Sequence, residues 1–486
     1  MKNYKKFFAL AGASVMALGV TASLSSCGTF KGVMIWGPQE HEQLYLDAVK
    51  AFKESNPDFK AAVKYGASGD AGAQAALSVD PQSGGSIYTF ANDQLINIRR
   101  IGAISKLDAD SVDWIKQNHV TAACEAGKIG NDYFAYPVSA DNGFVLVYNK
   151  DAFRNTKVWD SATDGLKQGY TFRDLFNALD ERGAQAGHEK WANGLALWPS
   201  GSAWYESGVF FATGGDYSVT YDEKGNQTAA SCSFGYKTVN GVEDYTIGLE
   251  AVRCMINTFT NEDGTISKHF MYTDDTNPAY NDIVSKYSGD LSGVGAEDNK
   301  PLAAIVTWNN SILRTNWGDD YAATVLPTLE SGNTLDGGEG HRYTWKSFSG
   351  FKLMGVNPLC AYAQSGEGEE NYKMLHKLAR YLTDVNVSLE RYKETGLGPS
   401  NFEAQKDEEI QKDKFLKALN EQYSLNDGNG ARVQDSTPSN YWTPIATFGN
   451  VLFDAIKNGK KGQFDTVTNV KRMLKQLQAD IESAAK

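Results

Sequence analysis

Three short segments set aromatic and polar side chains beside apolar runs. Trp36-Gly37-Pro38-Gln39-Glu40-His41 closes the run that begins at Val33, and Phe90-Ala91-Asn92-Asp93 closes the one that begins at Ile87. A third, Ala135-Tyr136-Pro137-Val138-Ser139-Ala140-Asp141-Asn142-Gly143, leads into Phe144-Val145-Leu146-Val147-Tyr148-Asn149-Lys150-Asp151. Rings offer flat apolar faces, while Glu40, His41, Asn92, Asp93, Asp141 and Asn142 offer hydrogen-bonding edges. Trp204-Tyr205, Trp308 and Tyr441-Trp442 add further rings. With 23 Phe, 24 Tyr and 10 Trp at a hydrophobic content of only 41%, many rings belong at surfaces or clefts, which suits a ligand with flat apolar faces.

Other chemistries find little support. The chain has no HExxH and no nucleophile elbow, and Cys124, Cys232, Cys254 and Cys360 lie far apart with no CxxC spacing. We therefore expect no metal site and no cofactor. Isolated buried thiols are the favoured reading of these cysteines, with a single Cys232–Cys254 bridge left open. The net charge of −12 argues against nucleic acid and anionic polymers as partners.

The elements that position these residues follow from periodicity. Val33 to Trp36 reads as a short strand. Leu44, Ala48 and Phe52, four apart, with Tyr45 and Val49 beside them, form a helix stripe that stops at Ser55-Asn56-Pro57. Phe59, Ala61, Val63 and Tyr65 alternate as a half-buried strand does, so the order strand, helix, strand predicts an α/β unit with a parallel sheet. Further strands are expected at 87–90 and 144–148, and a short helix at 94–100. Thr171 with Asp174 three residues on predicts a helix start, with Phe172, Leu175, Phe176 and Leu179 as its apolar stripe. Leu375, Leu378, Ala379 and Leu382 mark another helix, and Val467, Val470, Leu474, Leu477 and Ile481 a last one. Tyr221 to Asn226 reads as a hairpin turn and Ser331 to Gly340 as a loop.

The start of the chain carries an export signal. Lys2, Lys5 and Lys6 precede an apolar run from Phe7 to Val20, which is short of the ~20 residues a spanning helix needs, and then comes Leu24-Ser25-Ser26-Cys27. Residues 1–26 are expected to be removed, leaving a net charge of about −15 once those three lysines are gone. The Leu-Ser-Ser-Cys ending resembles a bacterial lipobox. That likeness implies a diacylglyceryl group on Cys27, a spacer over residues 27–31, and an extracytoplasmic, lipid-anchored location at the bacterial cell membrane.

Tyr-Pro, an acid and an amide, and an apolar strand ending Tyr-Asn-Lys-Asp resemble the first interlobe crossing of the extracellular solute-binding proteins of sugar ABC transporters. The maltodextrin-binding proteins are that family's best-known members. Other likenesses follow in order. Gly85 to Asp93 is similar to the family's strand and loop that meet the sugar, Trp204-Tyr205 ahead of Gly214-Gly215 to its second-lobe aromatic pair, and Ala304-Ile305-Val306-Thr307-Trp308 to its strand bearing a stacking Trp. Val325-Leu326-Pro327-Thr328, with Ser347-Phe348-Ser349-Gly350-Phe351 after it, resembles a second crossing. Leu397-Gly398-Pro399-Ser400 resembles a third, and Pro438-Ser439-Asn440-Tyr441-Trp442 a late helix with another stacking ring. The Glu40-His41 pair, the Ser-Ala-Trp-Tyr-Glu-Ser setting of Trp204 and the long stretch from Lys268 to Pro301 depart from the family pattern.

The resemblance implies an α/β, two-lobed periplasmic-binding-protein-like fold with three interlobe crossings and a ligand cleft between lobes. Residues 32–138 with 328–397 would form the first lobe, and 142–325 with 400–486 the second. It implies a monomeric receptor, not an enzyme, that captures an oligosaccharide, an α-glucan or maltooligosaccharide first, for the permease subunits of an ABC transporter. β-linked, fructosyl and galactosyl sugars remain open. Phe90, Trp204, Tyr205, Trp308 and Trp442 would stack on sugar, with Trp36 and Tyr441 beside them. Glu40, His41, Asn92, Asp93, Asp141 and Asn142 would meet hydroxyls, where an unpartnered buried group costs about 1–3 kcal/mol. A glycan-binding surface adhesin without a transport role and a glycoside hydrolase are the rival readings.

Overall fold

The computed structural model describes residues 30–200, 203–222, 224, 226–274, 279–291, 299–308, 310–332, 340–433, 441–457, 464 and 466–484. The export segment, Cys27, Pro438-Ser439-Asn440 and parts of the Tyr221–Asn226 turn and the Ser331–Gly340 loop lie outside the described residues.

The chain forms two compact α/β units. One comprises residues up to Ser139 together with Lys352–Ala404, the other Ala140–Phe351 with Gln405–Lys486. Three crossings therefore fall at Ser139/Ala140, Phe351/Lys352 and Ala404/Gln405. The second differs from the expected 325–328 because the chain after Val325 stays with the second unit. Thr328–Glu330 pairs with Arg342–Thr344, and the Trp345 ring packs 4.5 Å from Trp198.

In the first unit, Val33–Gly37 pairs in parallel with Val63–Ala67 on one side and with Ile87–Ala91 on the other. Lys352 to Val356 then runs antiparallel to Ile87–Ala91. The helix Glu42–Ser55 buries Leu44, Tyr45, Val49 and Phe52, as the four-residue spacing predicts, and ends where Pro57 disfavours helical backbone at Asn56. Its buried face joins one core with Leu375, Leu378, Ala379 and Leu382 of the helix Gly368–Leu382, each leucine contributing about 1.5–3 kcal/mol.

In the second unit a sheet runs in the order Phe270–Asp274, Leu195–Ser200, Leu302–Thr307, Val145–Asn149, Tyr321–Thr324. Its first two pairings are parallel and its last two antiparallel. The helix Phe172–Gly183 opens with the expected reciprocal cap: the Asp174 amide donates to Thr171 Oγ1 at 3.2 Å and the Thr171 amide to Asp174 Oδ2 at 2.8 Å. Cys124, Cys232, Cys254 and Cys360 are free and buried, and burial pushes the Cys124 and Cys232 thiols up to about 12. The Cys232–Cys254 bridge left open by the sequence is therefore not formed.

Candidate functional site

Parallel pairing puts the carboxyl ends of Val33–Gly37, Val63–Ala67 and Ile87–Ala91 along one edge of the first unit's sheet, where loops and helix starts gather. Trp36 is half-buried there and lies against glycine backbone. A Cβ on Gly66 would come within 2.8 Å of the indole and one on Gly85 within 3.0 Å, so only glycine lets the ring approach so closely. The next loop is tied down: the Tyr65 hydroxyl donates to the Pro38 carbonyl at 2.6 Å, and the Ser68 amide to the Gly37 carbonyl at 2.8 Å.

Asp70 organises the rest of this edge, although it was not among the residues expected from sequence. Its carboxylate accepts from Thr89 Oγ1 at 2.6 Å and lies 3.4 Å from Lys352 Nζ. Its carbonyl accepts from the Ala91 amide and from Gln94 Nε2. Lys352 reaches it because that residue pairs with Ala91, at the carboxyl end of the neighbouring strand. The available signal was position: Ser68-Gly69-Asp70-Ala71-Gly72 follows a strand just as Trp36–His41 and Asn92-Asp93 do.

Glu40 is exposed, Asp93 half-buried, and Asn92 and His41 buried. Among the described residues neither His41 ring nitrogen has a hydrogen-bond partner, and the ring meets Tyr45 edge-on at 5.9 Å. Burial first, and then the positive field of Arg391, lower the His41 pKa to about 4, so the imidazole is neutral at neutral pH. Phe90 departs from its expected role. It is 0% exposed within the run Ile87–Phe90, all of which is buried, so it supports the sheet and offers no face for stacking.

The second unit gathers its predicted residues by register. Thr307 pairs with Val145, so Trp308, just past Thr307, and Asp141-Asn142, just before Val145, share one end of the sheet. Leu197 pairs in parallel with Ile305, which brings the end of Leu195–Ser200, and the helix that starts at Trp204, to the same end. Trp308 is 43% exposed, and Asp141 and Asn142 are half-buried.

The indoles of Trp204 and Trp442 stack in parallel, 5.3 Å apart with 4° between their planes. Each is the first residue of its helix, and both rest on the buried Phe348 ring at 6.0 and 5.6 Å. Their neighbours turn inward. Tyr205 packs at 4.7 Å from Phe144, and Tyr441 at 4.5 Å from Tyr217 with its hydroxyl 2.9 Å from Ser207 Oγ. Tyr205 and Tyr441 are thus core residues that hold the indole pair: Tyr205 lies about 100° around its helix from Trp204, and Tyr441 immediately precedes the helix that starts at Trp442. Ala203, which precedes Trp204, sits in left-handed backbone at φ 68°, a strain of about 1–3 kcal/mol of the kind found at ligand sites.

Among the described residues no group of His, Cys, Asp and Glu is placed to hold a metal ion. What the two units present is ring faces beside carboxylates, amides and a lysine. Residues 47–418 match the model of the bacterial extracellular solute-binding proteins, well over half of the chain. The chain belongs to that family.

Membership implies an extracytoplasmic location, and no described helix is long and apolar enough to cross a membrane. The family's fold is evident in solved structures as well. The ligand-free maltodextrin-binding protein MalE1 of L. casei BL23 has a TM-score of 0.65 at 21% identity, covering 93% of this chain and 98% of that one. MalE from Listeria monocytogenes in complex with maltose scores 0.60 at 16% identity over 94% and 99%. The Thermus thermophilus maltotriose-binding protein with maltotriose scores 0.59 at 15% identity over 93% and 100%. No curated protein sequence matches the chain significantly. This solute-binding protein shares the family fold with all three structures.

Proposed function

We infer that this solute-binding protein captures an oligosaccharide and hands it to the permease subunits of an ABC transporter. The observation that carries this reading is the Trp204–Trp442 indole stack, with Trp308 exposed at the neighbouring sheet end. A sugar ring has C–H faces that need flat apolar platforms and a rim of hydroxyls that need acceptors and donors. The second unit supplies the platforms together with Asp141 and Asn142. The first supplies Trp36, Glu40, His41, Asn92 and Asp93, and we add Asp70 and Lys352. Neutral hydroxyls also suit a neutral His41, which can donate from one nitrogen and accept at the other.

An α-glucan of the maltooligosaccharide class is the proposed ligand. Three tryptophans suit a chain of several glucose units, and neighbours of the same fold are solved with maltose and maltotriose. A diacylglyceryl group on Cys27 would hold this monomeric receptor beside its permease, two acyl chains being needed for stable anchoring. The test is a melting-temperature screen against α-glucan, β-glucan, fructosyl and galactosyl oligosaccharides, since binding stabilises by RT ln(1 + [L]/Kd). At a hundredfold excess over Kd this is about 2.7 kcal/mol. No shift with any sugar would overturn the reading, and a shift accompanied by cleavage of the sugar would replace receptor by hydrolase.

A further inference from the structure

The first unit carries a concavity separate from its strand-end loops. A pocket of about 560 Å³ is walled by Phe52, Trp114, Tyr372 and Tyr381, with Lys377 and Arg380 among its lining residues. Phe52 lies ten residues past the start of the helix Glu42–Ser55, about 15 Å along the axis from the His41 end.

Lys373, Lys377 and Arg380, spaced four and three apart, form one row on the helix Gly368–Leu382. Lys373 is neutralised by Glu369 and Glu370 at 3.0 and 3.1 Å. Lys377 and Arg380 make no ion pair among the described residues. The Arg380 guanidinium lies over Trp114, 5.1 Å from the ring centroid, a contact that leaves its N–H fork available.

The two acids of the lining are already engaged as helix caps. Asp108 accepts from the Ser111 amide at 2.8 Å, and Asp384 from the Val387 amide at 3.0 Å. Hydrogen bonds from Ser111 hold Asp108 below the usual carboxylate range, with the field of Arg380 adding to them, while burial raises Asp384. His376 adds no charge at neutral pH. Its ring nitrogens meet Ser105 Oγ at 3.1 Å and the Tyr136 hydroxyl at 2.9 Å, and burial lowers its pKa to about 4. Among the described residues two cations without ion pairs thus line the pocket together with its aromatic residues, in a chain whose net charge is −12.

We propose that this pocket binds an acidic sugar, a hydroxylated ring that carries a carboxylate. The half-buried rings of Tyr372 and Tyr381 take its C–H faces, Lys377 and Arg380 take the carboxylate, and the cap acids' remaining oxygens accept hydroxyls. A neutral sugar would leave both cations unpaired, and a bare anion would leave the aromatic walls unused.

The test is calorimetric titration of the full chain with trigalacturonate, in about 0.02 M and then about 0.5 M salt, which shortens the screening length several-fold. One site is expected, weakened at least about tenfold by K377Q/R380Q, as loss of charge-assisted contacts requires, and weakened by salt. K377Q alone removes one exposed charge and leaves the fold intact, so a loss of affinity at unchanged melting temperature reports on the pocket alone. Absence of binding at millimolar trigalacturonate would overturn the proposal. So would an affinity unchanged in K377Q/R380Q, or binding of neutral galactotriose or inorganic phosphate as tight as that of trigalacturonate.

Discussion

Replacing Trp442 by Ala removes one of the two stacked indoles, and the geometry separates its effects on affinity and on stability. A sugar face laid on the indole covers about 60 Å² of apolar surface, which at about 25 cal/mol per Å² is worth about 1.5 kcal/mol, or about tenfold in Kd. The same substitution costs stability, because the ring contacts Trp204 at 5.3 Å and Phe348 at 5.6 Å. Truncating a fully buried Trp costs about 3–5 kcal/mol, so a half-buried one should cost about 2 kcal/mol. That corresponds to a fall of about 3 °C in Tm for a unit of this size. Titration calorimetry with maltotriose and thermal melting of W442A measure the two independently. W442F, which keeps a ring, should recover most of the stability and part of the affinity. A W442A protein that melts lower yet binds within twofold of the parent would refute the assignment of the indole pair as a sugar platform.

Asp70→Ala should weaken sugar affinity severalfold and lower stability by about 1–3 kcal/mol, because Lys352 and Thr89 lose their shared acceptor. Unchanged affinity in the same titration would remove Asp70 from the site. Stability should fall between about pH 6.5 and pH 4: His41 and His376 are lowered to about 4 and His119 to about 3, so over that range the unfolded chain binds protons that the folded chain refuses. Each could contribute on the order of 2 kcal/mol at neutral pH, lost on acidification, and urea melts at several pH values would show it. A midpoint that does not move down to pH 4.5 contradicts buried neutral imidazoles. Cys27→Ala should move the protein from the membrane fraction to the medium, read by detergent partition, and retention at the membrane would speak against lipidation.

Much of the scaffold is legible in the sequence because it depends on local rules. The Thr171–Asp174 cap joins residues three apart, the Leu44–Phe52 stripe follows a 3.6-residue period, and the Trp36–His41 loop falls after a strand of alternating burial. The identity of the solvent-facing rings was not legible in the same way. Trp204-Tyr205 and Tyr441-Trp442 are adjacent aromatic pairs of equivalent composition, and only the packing of each helix start against Phe144, Tyr217 and Phe348 turns one ring out and the other in. Phe90 reads as a strand-end ring, but its burial depends on neighbours brought in from elsewhere in the chain.

Asp70 shows the same division over a longer range. Its loop is set by the strand that precedes it, whereas its partner Lys352 arrives from a strand 282 residues further on. The second crossing at Phe351/Lys352 likewise depends on Trp345 packing against Trp198, a contact across well over a hundred residues. The sequence by itself determined the elements, their caps and the family, because those follow from interactions within a few residues or from a linear pattern. Tertiary structure alone decided which aromatics face a ligand and which acids and bases meet, because burial and pairing belong to the assembled core.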